Sequence, residues 1–276
     1  MSRQEQRLAV HHFRELAELQ FDPMDYSRLK FGSDIVAKKF GYELADAFFA
    51  CHSEVLLANQ CVVIPSPYNF VHNAASVMAR HMTDRLNHHM AHANGSCVEW
   101  SVIHRKVSYT VDYGYLPKEK RKALIDNDEF YFNDQFVEGK VLLFVDDVFI
   151  TGTHEEKLRE IMDRAGRNNR SFFLYYGMAL PGVTPDTEAA LNFAGIKCLN
   201  DYLKLMQEPN HHTIVRPIKY ILGQDVGVLD VVVQQMELPR LLELYHGALG
   251  EGYHKLPNYQ NSFQMIREAL LQRGAI

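Results

Sequence analysis

Two carboxylates, Asp146 and Asp147, are followed by Thr151-Gly152-Thr153 and then by His154. Neighbouring acids accept hydrogen bonds from sugar hydroxyls and attract a hard cation such as Mg2+. Thr-Gly-Thr offers two hydroxyls and, where it opens a helix, free backbone N–H groups that suit a phosphate dianion. The stretch from Asp147 to Thr151 spans at most roughly 13 Å, enough to wrap one ribose ring. The spacing therefore fits a ribose 5-phosphate, with Asp146 and Asp147 at the sugar and Thr151, Gly152, Thr153 and the amide of His154 at the phosphate.

Such a site needs a strand before it and a helix after it. Val141, Leu142, Leu143, Phe144 and Val145 form a continuous apolar run, which reads as a strand buried on both faces of a parallel sheet. Its end opens on the crevice where α/β proteins bind ligands. After the Thr-Gly-Thr loop, Leu158, Ile161, Met162 and Ala165 recur at helical spacing, so residues 154–165 are expected to be helical. Upstream, Cys61, Val62, Val63 and Ile64 form a short apolar strand closed by Pro65-Ser66-Pro67, and a helix is expected over 69–89. Further strands are expected over 97–104, 171–180 and 195–199, giving a right-handed, mostly parallel sheet flanked by helices.

The string Leu143-Phe144-Val145-Asp146-Asp147-Val148-Phe149-Ile150-Thr151-Gly152-Thr153 resembles the signature of the type I phosphoribosyltransferases. The resemblance spans about residues 60–200. It implies that Asp146 and Asp147 bind the ribose of 5-phosphoribosyl-1-pyrophosphate (PRPP) and lie at the Mg2+, and that the Thr-Gly loop takes its 5-phosphate. It further implies that the turn holding Ser66 and Pro67 is the pyrophosphate loop. The Tyr- and Lys-rich segment 107–122 matches the family's mobile loop in place and character, with Ser108-Tyr109 similar to its Ser-Tyr pair. Arg105 and Lys106, with Lys118, Lys120 or Arg121 from that loop, would meet the pyrophosphate charge. Two positions depart from the pattern: Ile150 stands where a small or hydroxyl residue is usual, and His154 where the last Thr or Ser belongs. The acids with the His154-Glu155 ending, together with the segment Tyr26-Ser27-Arg28-Leu29-Lys30-Phe31-Gly32, are also similar to family members found with bacterial stress-response and defence gene clusters.

The flanks lie outside the signature. Leu8, Phe13, Leu16 and Leu19 suggest an amphipathic helix broken by Asp22-Pro23, and Ser33 is placed to cap a second helix reaching about Asn59. The expected organisation is a helical N-terminal cap over 1–60, a phosphoribosyltransferase-like core over 61–200 and a C-terminal hood over 201–276, punctuated by Pro209, Pro217, Pro239 and Pro257. In the resembled family such a hood covers the site and selects a small-molecule acceptor.

The chain of 276 residues, 47% hydrophobic, can bury a large core. No apolar stretch suggests a signal peptide or membrane span, and the expectation is a cytoplasmic protein. A net charge of −5 without a basic tract argues against extensive nucleic-acid binding. Cys51, Cys61, Cys97 and Cys198 are scattered, with no zinc or disulfide spacing. His11-His12, His88, His92 and His211-His212 read as solvated histidines. The expected activity is displacement of pyrophosphate from PRPP by a nitrogen nucleophile, or the reverse reaction on a nucleotide. A homodimer is compatible with this reading. Two other readings stay open: a PRPP- or nucleotide-sensing regulator, and an effector whose flanking segments bind a protein partner while its core attacks nucleotides.

Overall fold

The computed structural model describes residues 5–105, 130–184 and 186–276. Its centre is a parallel sheet of β1 (Glu5–Phe13), β2 (Cys61–Pro65), β3 (Glu99–Trp100), β6 (Val141–Phe149) and β7 (Ser171–Ala179), in the spatial order β1-β7-β6-β2-β3. Two further short strands, β4 (Ile103–Arg105) and β5 (Phe130–Phe132), pair antiparallel beside it.

The sheet is covered on both faces, as continuous apolar strands require. On one face α1 (Pro23–Lys30), α2 (Asp34–Ala58) and α3 (Ala74–His92) pack over Val63, Leu143, Val145 and Leu174. On the other, α4 (Thr153–Arg164) sets Leu158, Ile161 and Met162 against Val62, Leu142, Phe144 and Phe173. Ser33 caps α2 by accepting from the Val36 amide at 3.4 Å, as its position in the sequence suggests.

The C-terminal helices α5 (Asp186–Asn192), α6 (Leu199–Leu205), α7 (Val215–Leu222), α8 (Val226–Gln235), α9 (Leu238–Gly250) and α10 (Pro257–Gln272) close the crevice side. Of these, α6 to α10 share an apolar core of their own around Ile218, Leu222, Leu229, Leu241 and Ile266, which Phe31 at the end of α1 joins, while Leu191 of α5 belongs to the core that α1, α2 and α3 form with the sheet. No helix among the described residues is long and apolar enough to cross a membrane.

Three expectations are corrected. The first segment is a strand rather than a helix: β1 pairs in parallel with β7 from Glu5↔Ser171 to Phe13↔Ala179, and Leu8 and Val10 alternate onto the α2 face. The edge of β7 supplies backbone partners that an isolated helix would not need, and Leu16, counted in the helical pattern, is 44% exposed. Asp22-Pro23 begins a helix instead of breaking one, because the Asp22 carboxylate accepts from the Met24 amide at 2.8 Å and Pro23 takes the first helical position. Residues 195–199 form no strand; Ile196 is buried in the C-terminal core and the Lys197 and Cys198 amides donate to Asp201. The sheet edge beside β7 is held by β1.

Candidate functional site

β6 runs past both acids, with Asp146 opposite Tyr175 and Phe149 opposite Met178, because β7 is equally long and keeps pairing. Alternation along a strand sends consecutive side chains to opposite faces. Asp147, 5% exposed, lies on the α1 side and is ion-paired with Lys30. Asp146 lies on the α4 side, its Oδ2 3.1 Å from Nδ1 of His154. Burial would push the Asp146 carboxyl up, but His154, Lys30 and the nearby Ser66 hydroxyl outweigh it and hold the group below the ordinary carboxylate value.

The loop after the strand turns at Gly152, whose φ of +76° is open to glycine and strained for other residues. An added Cβ there would meet the Phe149 ring at 3.0 Å. Gly152 forms the N-cap of α4, the Thr151 and Thr153 hydroxyls meet at 3.0 Å, and the Glu156 amide donates to the Gly152 carbonyl at 2.9 Å. The earlier amides of this first turn have no intrahelical acceptor, which suits an anion.

The turn is braced from beneath by Glu155. Its carboxylate, 1% exposed, accepts from Tyr175 Oη at 2.8 Å and Arg7 Nη2 at 2.8 Å and pairs with Arg159 at 2.5 Å, tying α4 to β7 and β1. The Glu155 hydrogen bond is the chief cause holding the Arg7 guanidinium above its usual value, and burial, reinforced by Glu155, pushes the Tyr175 phenol well up. Two guanidiniums thus balance a carboxylate that would otherwise oppose an anion at the same helix end.

The facing wall is the turn after β2. Asn73 caps α3 through the Ser76 amide at 2.8 Å, and its Nδ2 donates to the carbonyls of Ser66 at 3.2 Å and Pro67 at 3.3 Å, fixing the turn. Pro67 lines the crevice, whereas Ser66 is turned inward and 5% exposed. Arg105, in β4, lines the crevice as well, its amide bonded to the Tyr68 carbonyl at 3.0 Å. From the C-terminal layer come Arg216, Lys219, Tyr220 and Tyr253. Together these walls enclose a cavity of about 510 Å³ containing Lys30, both acids, the Thr-Gly-Thr loop and His154, a volume typical of small-molecule sites. Lys106, Ser108 and Tyr109, with Lys118, Lys120 and Arg121, lie outside the described residues.

Asp146 and Asp147 do not fit a shared Mg2+ site. They leave the strand on opposite faces, and each already has a partner, the Lys30 ammonium at Asp147 and the His154 ring at Asp146. Among the described residues no group of three or more His, Cys, Asp or Glu could hold a metal ion. A divalent ion at this site would have to take most of its ligands from a bound phosphate and water.

Several site residues have no sequence signal. Lys30 lies 117 positions before Asp147, and only its place in the 26–32 string marked it. Glu155, Tyr175 and the cations of α7 likewise meet the loop only through the fold. One histidine also departs from the solvated state expected of it. His211 is 4% exposed, its Nε2 2.9 Å from the Phe31 carbonyl, whereas His212, its side chain 43% exposed, joins His81 on one Asp34 oxygen at 2.8 and 2.7 Å.

Comparison with known proteins gives a family model described as PRTase ComF-like that matches residues 5–266. No curated protein matches. Among solved structures, a hypoxanthine phosphoribosyltransferase from Staphylococcus aureus is similar in its tetragonal crystal form over 52% of this chain and 75% of that one, at 10% identity and a TM-score of 0.34. The orthorhombic form of that protein gives 53% and 77%, 10% and 0.33.

Proposed function

The chain belongs to the ComF-like phosphoribosyltransferase family, and from that premise we propose that its crevice binds PRPP, or another ligand carrying ribose 5-phosphate, and exchanges the anomeric substituent. The observation that carries this reading is the meeting of three features in one cavity: two acids at the end of a buried strand, a left-handed glycine opening a helix, and cations on the opposing walls. Thr151, Gly152 and Thr153 would hold the 5-phosphate, and the acids would orient the ribose hydroxyls. Arg105, Arg216 and Lys219 line the cavity where a pyrophosphate or an acceptor would approach, and fixed cations there stabilise a departing anion. Mg2+ enters this scheme as part of the substrate, neutralising the pyrophosphate it accompanies. Enclosure by the C-terminal helices would keep water from the sugar cation as the bond breaks.

The acceptor, a nitrogen nucleophile of small size, would be met by the aromatic rings of Tyr68 and Tyr220. Calorimetric titration with PRPP, coupled to measurement of pyrophosphate release with a panel of bases, tests the proposal. Binding with release supports the transferase. Binding without release for any acceptor favours the sensing regulator, a reading that the occupation of Asp147 by Lys30 also supports. Absence of binding at millimolar PRPP sinks both.

A further inference from the structure

Lys30 is not a loose surface lysine. Its helix is capped by Asp22 and tied to the C-terminal layer by Ser27 Oγ, which donates to the Asn192 carbonyl at 2.8 Å and accepts from the Ile196 amide at 3.2 Å. Arg28 adds ion pairs to Asp25 at 2.9 Å and to Glu208 at 2.6 Å. The ammonium lies 5.6 Å from the Tyr26 ring centre and reaches Asp147, the two side chains being 14% and 7% exposed. Both Lys30 and Asp147 line the ligand cavity.

A nearly buried carboxylate beside a phosphate site repels an incoming dianion unless its charge is cancelled. Where an acid pair stands bare, a divalent ion can do this. In this protein an ammonium does it on one face of the sheet, while the His154 ring meets the other acid on the opposite face. We infer that Lys30 is the built-in counter-cation of the ribose subsite, so that the ribose 5-phosphate half of a ligand binds without any divalent metal ion. Lys30 is a positioning residue in this scheme: Asp147 meets the ammonium through Oδ2 and accepts from the Val148 amide through Oδ1 at 2.8 Å, which fixes the carboxylate and leaves one lone pair on each oxygen for sugar hydroxyls. The inference rests on the phosphoribosyl reading proposed above.

The test is calorimetric titration of the full chain with ribose 5-phosphate in EDTA and in millimolar Mg2+. Wild type should bind equally, within about twofold, in the two buffers. Lys30→Met should lose about tenfold or more in EDTA, the scale of one charge-assisted contact, and regain affinity on adding Mg2+. Lys30→Arg should stay metal-independent. Wild-type binding that requires Mg2+ overturns the inference and leaves the phosphoribosyl reading standing; so does Lys30→Met that melts cooperatively yet binds in EDTA as wild type does. The wild-type pair of titrations decides even if Lys30→Met does not fold. No binding of ribose 5-phosphate in either buffer overturns the phosphoribosyl reading itself.

Discussion

His211 makes a quantitative prediction about acid stability. Its Nε2–H donates to the Phe31 carbonyl at 2.9 Å, and its Nδ1 is buried with no hydrogen-bond partner among the described residues. Burial pushes the imidazole down to about 4, with Arg240 and His212 adding to the effect and the Phe31 carbonyl and Glu208 opposing it. An unfolded histidine takes up its proton near 6.5. Between these values the unfolded chain binds a proton that the folded chain refuses, so acidification removes stability. The loss begins below about pH 6.5, runs at about 1.4 kcal/mol per pH unit, and totals about 3 kcal/mol by pH 4. Glutamine can keep the donor to Phe31 without titrating, so the comparison is wild type against His211→Gln in urea unfolding at pH 7.5, 5.5 and 4.5. His52 and His72 are lowered by burial too and act in the same direction in both proteins. The readout is therefore the difference in slope, which should approach one proton. Equal slopes for the two proteins would refute the argument that His211 is held neutral.

Three further outcomes are expected. Glu155→Gln should lower Tm by about 5 °C, because it strips the counter-charge from Arg7 and Arg159; the two guanidiniums are 46% and 35% exposed, and water screening limits the cost to about 2 kcal/mol. Unchanged melting would show that this network does not brace the loop. Gly152→Val forces a branched side chain into the left-handed region and against the Phe149 ring; phosphate affinity by titration should fall about tenfold, at a strain of about 1–2 kcal/mol. Asp147→Asn should reduce turnover by about 10²-fold to 10³-fold. It should also lower Tm, since Lys30 loses its partner; a variant with full turnover per folded molecule would make the acid structural.

What could be read from the chain beforehand was local. The apolar run before Asp146 marks a strand buried on two faces, and Gly152 between two threonines marks a turn into a helix; both follow from neighbouring residues and both match the structure. The first strand was illegible because at a sheet edge only one of its residues, Phe13, is fully buried, which leaves weak alternation and apolar spacings that suit a helix as well. Lys30, Arg7 and Tyr175 reach the site through packing across long stretches of chain, and nothing in their neighbours announces it. His211 looked solvated because nothing in its neighbours marks burial, which depends on α6 and Phe31 closing around it.

The placement of β1 has a consequence for how the protein is made. Its ladder with β7 joins Glu5 to Ser171 and Phe13 to Ala179, so the first of the described strands to be translated finds its partner in the last of them. At about 5–20 residues per second, roughly ten to thirty seconds of translation separate the two. Until then Leu8 and Val10 lack their ladder, and any sheet assembled earlier must wait with the β7 edge still to come. Such high sequence separation slows folding, and a nascent chain in this interval offers an unpaired apolar strand to chaperones or to its neighbours on the polysome.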